Sequence, residues 1–119
     1  MSHFVVYNTD DPNAEKEGWK EFPSSGEEGH ELTLGPGQTD RAQKIGGSVY
    51  SEKAGEILIQ QSFDGVHWDI QTKTSVAAET GLKIFEDIVA PQWRLVFINT
   101  TASKIKHLRI FARSWISGD

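Results

Sequence analysis

The 119-residue chain has no cysteine. Disulfides, thiolate zinc sites and cysteine nucleophiles are therefore excluded at once. The missing thiols fit a reducing compartment, although many other settings suit such a chain as well. Long apolar runs are also missing: none approaches the roughly 20 residues that a helix needs to cross a bilayer, so no membrane is expected as a partner. Met1-Ser2-His3 leads only into Phe4-Val5-Val6-Tyr7, without the basic start and longer apolar core of a signal peptide. A protein made in a cytoplasm, and left there or assembled into something larger, is the expectation.

Positive charge is scarce. Twelve Lys and Arg face seventeen Asp and Glu, for a net charge of -5. Phosphate neutralisation needs clustered bases, so nucleic acid is not an expected partner. The imbalance sits in one place: Thr9 to Glu31 carries eight acids against two bases, and the remainder is nearly neutral. Helical periodicity is lacking too. No segment sustains it over about 11 residues, and Ala14–Lys20 and Val76–Thr80 have room for a single turn each.

What the chain does have is alternation. Gly47 to Thr74 reads as three strands joined by two turns. Ile57, Ile59, Gln61 and Phe63 share one face of the longest run. Asp64-Gly65 then supplies a tight hairpin turn, because glycine has no Cβ to clash at positive φ and aspartate can bond the turn's own backbone. Trp68, Ile70 and Thr72 alternate down the return; Asp64, Gly65 and Trp68 are thus read as the structural turn. Trp93–Ile98 is apolar at nearly every position, as in a strand covered on both faces. Leu82–Val89 reads as a strand with an irregularity at Glu86-Asp87. The last strand, Lys104–Trp115, has Leu108, Ile110 and Ala112 on one face and a mildly basic opposite face. Short strands with turns every 8–12 residues or so predict an all-β sandwich.

Earlier in the chain, Phe4–Tyr7 reads as a short strand and Glu31–Leu34 as another, broken by Gly35-Pro36-Gly37. Large apolar residues are few from Thr9 to Lys44, so this segment cannot bury enough surface to fold alone. Residues 1–46 are accordingly expected to be an N-terminal arm or wrapping strands, and residues 47–119 the β-sandwich domain. Phe4, Val6, Trp19 and Phe22 are the candidate partner contacts, isolated apolar anchors of the kind that dominate interfaces. Phe4–Tyr7 suits addition to a neighbour's sheet edge, and packing back on its own sandwich is the equal alternative. The acidic stretch would face the basic last strand, within one subunit or between neighbours.

Catalytic signatures are absent. No Gly-x-Ser-x-Gly elbow occurs, Gly35-Pro36-Gly37-Gln38 lacks the end of a phosphate loop, and Gly46-Gly47 does not open a helix. No catalytic residue, cofactor or metal is expected, and the protein is read as not an enzyme. His3, His30, His67 and His107 show no ligand spacing. Asp64, Asp69, Glu86 and Asp87 fix no paired-carboxylate separation. Trp19, Trp68, Trp93, Trp115, Tyr7 and Tyr50 leave a sugar-stacking surface as an alternative.

One stretch resembles a known type of protein. Gly-Ser-Val-Tyr-Ser, Ala-Gly and Ile-x-Gln-Ser-Phe-Asp-Gly-Val-x-Trp-Asp run from Gly47 to Asp69. Ser75-Val76-Ala77-Ala78 and Ile88-Val89-Ala90-Pro91-x-x-Arg94-Leu95-x-Phe97-x-Asn99 follow. Together, across Gly47–Trp115, they resemble a small β-sandwich of tailed-bacteriophage virion proteins. Ser-x-Asp-Gly-x-x-Trp, Ser62 to Trp68, is also similar to an element of discoidin-type and carbohydrate-binding jelly rolls. The resemblance implies a jelly-roll sandwich, with an extended N-terminal arm added by the reading of residues 1–46. It also implies a non-enzymatic virion protein: foremost a capsid decoration (cement) protein bound to the major capsid protein, and otherwise a tail or baseplate component. A homo-oligomer in the virion is the expected state, and a carbohydrate-binding attachment module the alternative. The expected core is Val49, Ile57, Ile59, Phe63, Trp68, Ile84, Leu95, Phe97, Leu108 and Ile110, in a sandwich from about Lys44 to Ile116.

Overall fold

Alternating side chains need two sheets to close over them. The computed structural model, which describes residues 3–18, 21–38 and 43–115, shows those two sheets. Eight strands follow in order: β1 His3–Asn8, β2 Glu31–Gln38, β3 Lys44–Ser51, β4 Gly55–Ser62, β5 Ile70–Val76, β6 Leu82–Asp87, β7 Gln92–Asn99 and β8 Leu108–Trp115. One sheet has the order β1-β8-β3-β6 and the other β2-β7-β4-β5. All pairings are antiparallel. Eight strands dealt between two antiparallel sheets in this order make a jelly-roll sandwich, as expected. Among the described residues, helix is limited to one turn, Ala14–Glu17.

The core lies between the sheets. Ile45 and Val49 of β3, Ile57 and Ile59 of β4, Ile84 of β6, Trp93, Leu95 and Phe97 of β7, and Leu108, Ile110 and Ala112 of β8 are all buried there. Eight of the ten expected core residues are among them; Phe63 and Trp68 are not. Phe63 is 84% exposed. The alternation that would carry it inward ends at Ser62, because Gln61 takes the last inward position and makes hydrogen bonds there. Gln61 Nε2 donates to the carbonyl oxygen of Asp87 at 2.9 Å, and its Oε1 accepts from Val89 N at 2.8 Å. Trp68 is half-buried, with the Arg94 guanidinium 4.2 Å from its ring centre.

Other expectations shift in detail. The β4–β5 connection is seven residues, Phe63–Asp69, rather than a two-residue turn at Asp64-Gly65, and only Gly65 in it has a positive φ, 81°. The last strand begins at Leu108; before it, Ile105 bridges to Phe22. Gly35-Pro36-Gly37 does not break β2, which continues to Gln38 through a register shift between Leu34 and Gly37.

Residues 1–46 supply a strand to each sheet. β1 pairs with β8 of its own chain, Phe4 opposite Arg113 and Val6 opposite Phe111. β2 pairs with β7, Leu32 opposite Phe97. Sheet pairing thus extends ahead of the expected sandwich boundary, and the edge that Phe4–Tyr7 lies against is its own.

Candidate interaction surface

Alternation on β8 that buries Leu108, Ile110, Ala112 and Ser114 turns Arg109, Phe111, Arg113 and Trp115 outward. Neighbouring strands set what stands beside them. Gly46 lies opposite Arg113 on one side and Phe85 on the other, and Ser48 opposite Phe111 and Lys83. The middle of β3 therefore presents only Gly46 and Ser48 to the outer face, between two strands that contribute large side chains. A furrow results, with a cavity of about 360 Å³ lined by Gly46, Gly47, Lys83, Phe85, Phe111, Arg113 and Trp115.

The rings along this face are held in place. Phe85 and Trp115 meet at 63°, 6.3 Å between centroids. Arg113 lies 5.1 Å from the Trp115 ring and Lys44 5.5 Å from that of Phe85. Lys44 also pairs with Asp87. Beyond the furrow Phe4 stacks on Phe111, 6.2 Å apart. Phe4, Phe85, Phe111 and Val6 are 63%, 59%, 42% and 38% exposed. Such a contiguous set of exposed rings interleaved with arginine is the composition of an interface. Among the described residues, Lys83 and Arg113 form no ion pair.

A second feature is the Phe63–Asp69 loop. Asp64 organises it: Oδ1 accepts from the backbone N–H groups of Val66 and His67, each at 2.8 Å, and Oδ2 lies 2.6 Å from His67 Nδ1. Gly65 N donates to Ser62 Oγ at 2.8 Å. The bond from the His67 backbone, followed by that from its ring, holds the Asp64 carboxyl far below its ordinary value, and the same pairing raises His67. The hydrogen bonds fix the loop while Phe63 and Val66 (74% exposed) point to solvent. Val89, 66% exposed, follows the β6 end that Gln61 ties to β4.

The acidic stretch meets bases of its own chain. Asp10 contacts His107 Nδ1 at 2.7 Å and Arg109 Nη1 at 2.5 Å, which lowers its carboxyl, the His107 bond most. Glu27 approaches Lys104 at 3.5 Å. Of the two arrangements expected for this charge pairing, these contacts are the one within a subunit.

Of the candidate partner contacts, Phe4 and Val6 stand on the exposed face and Trp19 lies outside the described residues. Phe22 is a correction: it is 2% exposed, packed in its own core between Tyr7 and Phe97, because the Phe22–Ile105 bridge draws the β1–β2 connection inward. Asp64, Gly65 and Trp68 all lie in the Phe63–Asp69 connection, where Asp64 accepts from Val66 N and His67 N. Of the rings considered for sugar stacking, Trp19 lies outside the described residues, Trp93 and Tyr7 are buried, Arg94 and Arg109 cover Trp68 and Tyr50, and Trp115 lines the furrow. Sequence reasoning missed Phe85, Phe111 and the Gly46 floor. Their signal was the alternation that turns Phe85 outward on Leu82–Asp87 and Phe111 outward on the last strand, whose outer face reads as mildly basic. No group of three or more potential metal ligands occurs among the described residues.

Comparison with known proteins supports the fold. No protein-family model and no curated protein matches the sequence. Among solved structures, the PBSX exported protein XepA aligns with a TM-score of 0.70 and 13% identity over 100% of this chain. The chain spans only 38% of that protein's length. A protein described under the finding that Bacillus endospore appendages form a novel family of disulfide-linked pili aligns with a TM-score of 0.51 and 10% identity, over 98% of this chain and 87% of its own. At these identities the likeness is one of fold. Cross-linking by disulfides is closed to a chain without cysteine.

Proposed function

We propose that this chain is a non-enzymatic structural protein of a phage particle, a capsid decoration protein that docks on the shell formed by the major capsid protein and adds buried interface to it. The observation that carries the reading is the outer face of the β1-β8-β3-β6 sheet, where Phe4, Val6 and Phe111 form an exposed apolar ridge flanked by arginines. A ridge of this kind gains free energy when a partner covers it. The fold shared with an exported protein of PBSX and with a pilus subunit is in keeping with a structural role.

The test is binding to phage capsids. The protein is expected to co-purify with them in a high, symmetry-related copy number, and Phe4→Ser with Phe111→Ser to abolish this without unfolding the chain. Copies found only on tails or baseplates, or absent from particles, would refute it. The carbohydrate alternative has the rings of the furrow in its favour. It requires a shift of Trp115 fluorescence with a glycan that Trp115→Ala removes.

A further inference from the structure

The loop and the furrow have opposite shapes and opposite charges. Phe63–Asp69 is a convex knob: Phe63 and Val66 are 84% and 74% exposed on a backbone pinned by Asp64. Its seven residues include two carboxylates and no lysine or arginine; Asp64 is already paired with His67, which leaves Asp69 as the negative charge without an ion pair among the described residues. The furrow is concave, floored by Gly46 and Gly47 and walled by Phe85, Phe111 and Trp115. Its lining carries two cations, Lys83 and Arg113, and no carboxylate.

We propose that the knob of one copy seats in the furrow of the next, so that this chain self-associates head to tail through Phe63 and Val66 on one subunit and Phe85, Phe111 and Trp115 on its neighbour. Both halves are preorganised, which lowers the ordering cost of association. The pinned loop loses little freedom on docking, and the Trp115 ring already rests on the Gly46 backbone and against Phe85. Asp69 would find the furrow's unpaired cations, and charges of opposite sign fix register and exclude wrong partners. A knob and a furrow on different surfaces of one chain make a heterologous contact. Contacts of that kind generate rings or filaments rather than isolated two-fold dimers. Anionic lipid is a poor occupant for the knob, because its carboxylates would be repelled. This inference does not depend on the capsid reading: a chain that self-associates but ignores capsids would refute only the latter.

The experiment is sedimentation equilibrium on the full chain and on two variants, Phe63→Ser with Val66→Ser for the knob and Phe85→Ser for the furrow. All three positions are exposed, and circular dichroism checks that the sandwich persists. The wild type is expected to gain mass with concentration, and each variant to remain a monomer. An equimolar mixture of the two variants is expected to form a heterodimer of twice the chain mass, since one intact knob then meets one intact furrow. Lys83→Glu is expected to weaken association, and mixing it with Asp69→Lys to restore it. A wild type that stays monomeric at every concentration overturns the proposal. So does a mixture that fails to pair, the result expected of a face-to-face dimer. Loss of binding to phosphatidylcholine vesicles in the knob variant, with a monomeric wild type, overturns it in favour of lipid. A furrow variant that loses only acidic-polysaccharide binding, again with a monomeric wild type, overturns it in favour of a glycan.

Discussion

Phe22 meets Phe97 edge to face, with ring centroids 5.3 Å apart. The contact joins the connection between β1 and β2 to the centre of β7. It is secured on both sides by backbone bonds, Phe22 N to Ile105 O at 2.7 Å and Ile105 N to Phe22 O at 2.9 Å. Phe22→Ala would remove a fully packed ring, at a cost of about 3–5 kcal/mol, seen as a lower urea midpoint. Deleting residues 1–39 would remove β1, Phe22 and β2 together, and is expected to give an unfolded chain by circular dichroism. A truncated chain with a cooperative transition near that of the parent would show that these strands are dispensable.

Gln61 holds two chain reversals together from a buried position. It is 1% exposed, and its amide group satisfies Asp87 O and Val89 N. Gln61→Met keeps the volume and removes both partners, leaving Asp87 O and Val89 N, both on exposed residues, to be met by water. The expected cost is about 0.5–1.5 kcal/mol. Hydrogen exchange at the Val89 amide should accelerate more than at amides in the middle of β7. Equal acceleration everywhere would mean that Gln61 acts through global stability alone.

The same residue shows where the sequence was legible and where it was not. Ile57 and Ile59 are legible as inward because a strand's period of two is a local property. Extending that period misplaces Phe63, since Gln61 takes the last inward position through bonds to residues more than twenty-five positions later. The β7 run Trp93–Ile98 was legible from composition alone. The furrow was not: Gly46 becomes its floor only because the register sets Phe85 on one side and Arg113 on the other. Phe22 reads as a solitary anchor in the sequence because its partners Tyr7, Phe97 and Ile105 are remote along the chain.

The Asp64–His67 pair predicts a pH window. Asp64 is held below its ordinary 3.8, so its contribution is full above that value and fades as the pH falls through the lower folded one. His67 is raised above 6.5, so its share is full below 6.5 and fades as the pH rises through its folded value. The stability lost in Asp64→Ala should therefore be greatest between pH 3.8 and 6.5 and shrink on both sides. Both groups are exposed, which keeps the effect small in salt. Urea midpoints of the two proteins across acid to mildly alkaline pH measure it; a constant gap would refute the assignment.

Gly46 and Gly47 are adjacent, yet their replacement by alanine should have unlike effects. A Cβ on Gly47 would lie 1.9 Å from the backbone oxygen of Phe111 and 2.7 Å from Ala112 Cα. Neither can move without opening the β3–β8 pairing. Gly47→Ala should therefore destabilise by at least about 1–3 kcal/mol. A Cβ on Gly46 would come within 2.6 Å of the Trp115 ring, the far end of a side chain on the outer face rather than backbone. The ring can tilt away at little cost to the core. Gly46→Ala should keep most of the stability and change the emission of Trp115, identified by its loss in Trp115→Phe. It should also weaken whatever the furrow holds, because its floor rises and one wall moves. Equal destabilisation by the two substitutions would show that Trp115 is fixed as firmly as the backbone.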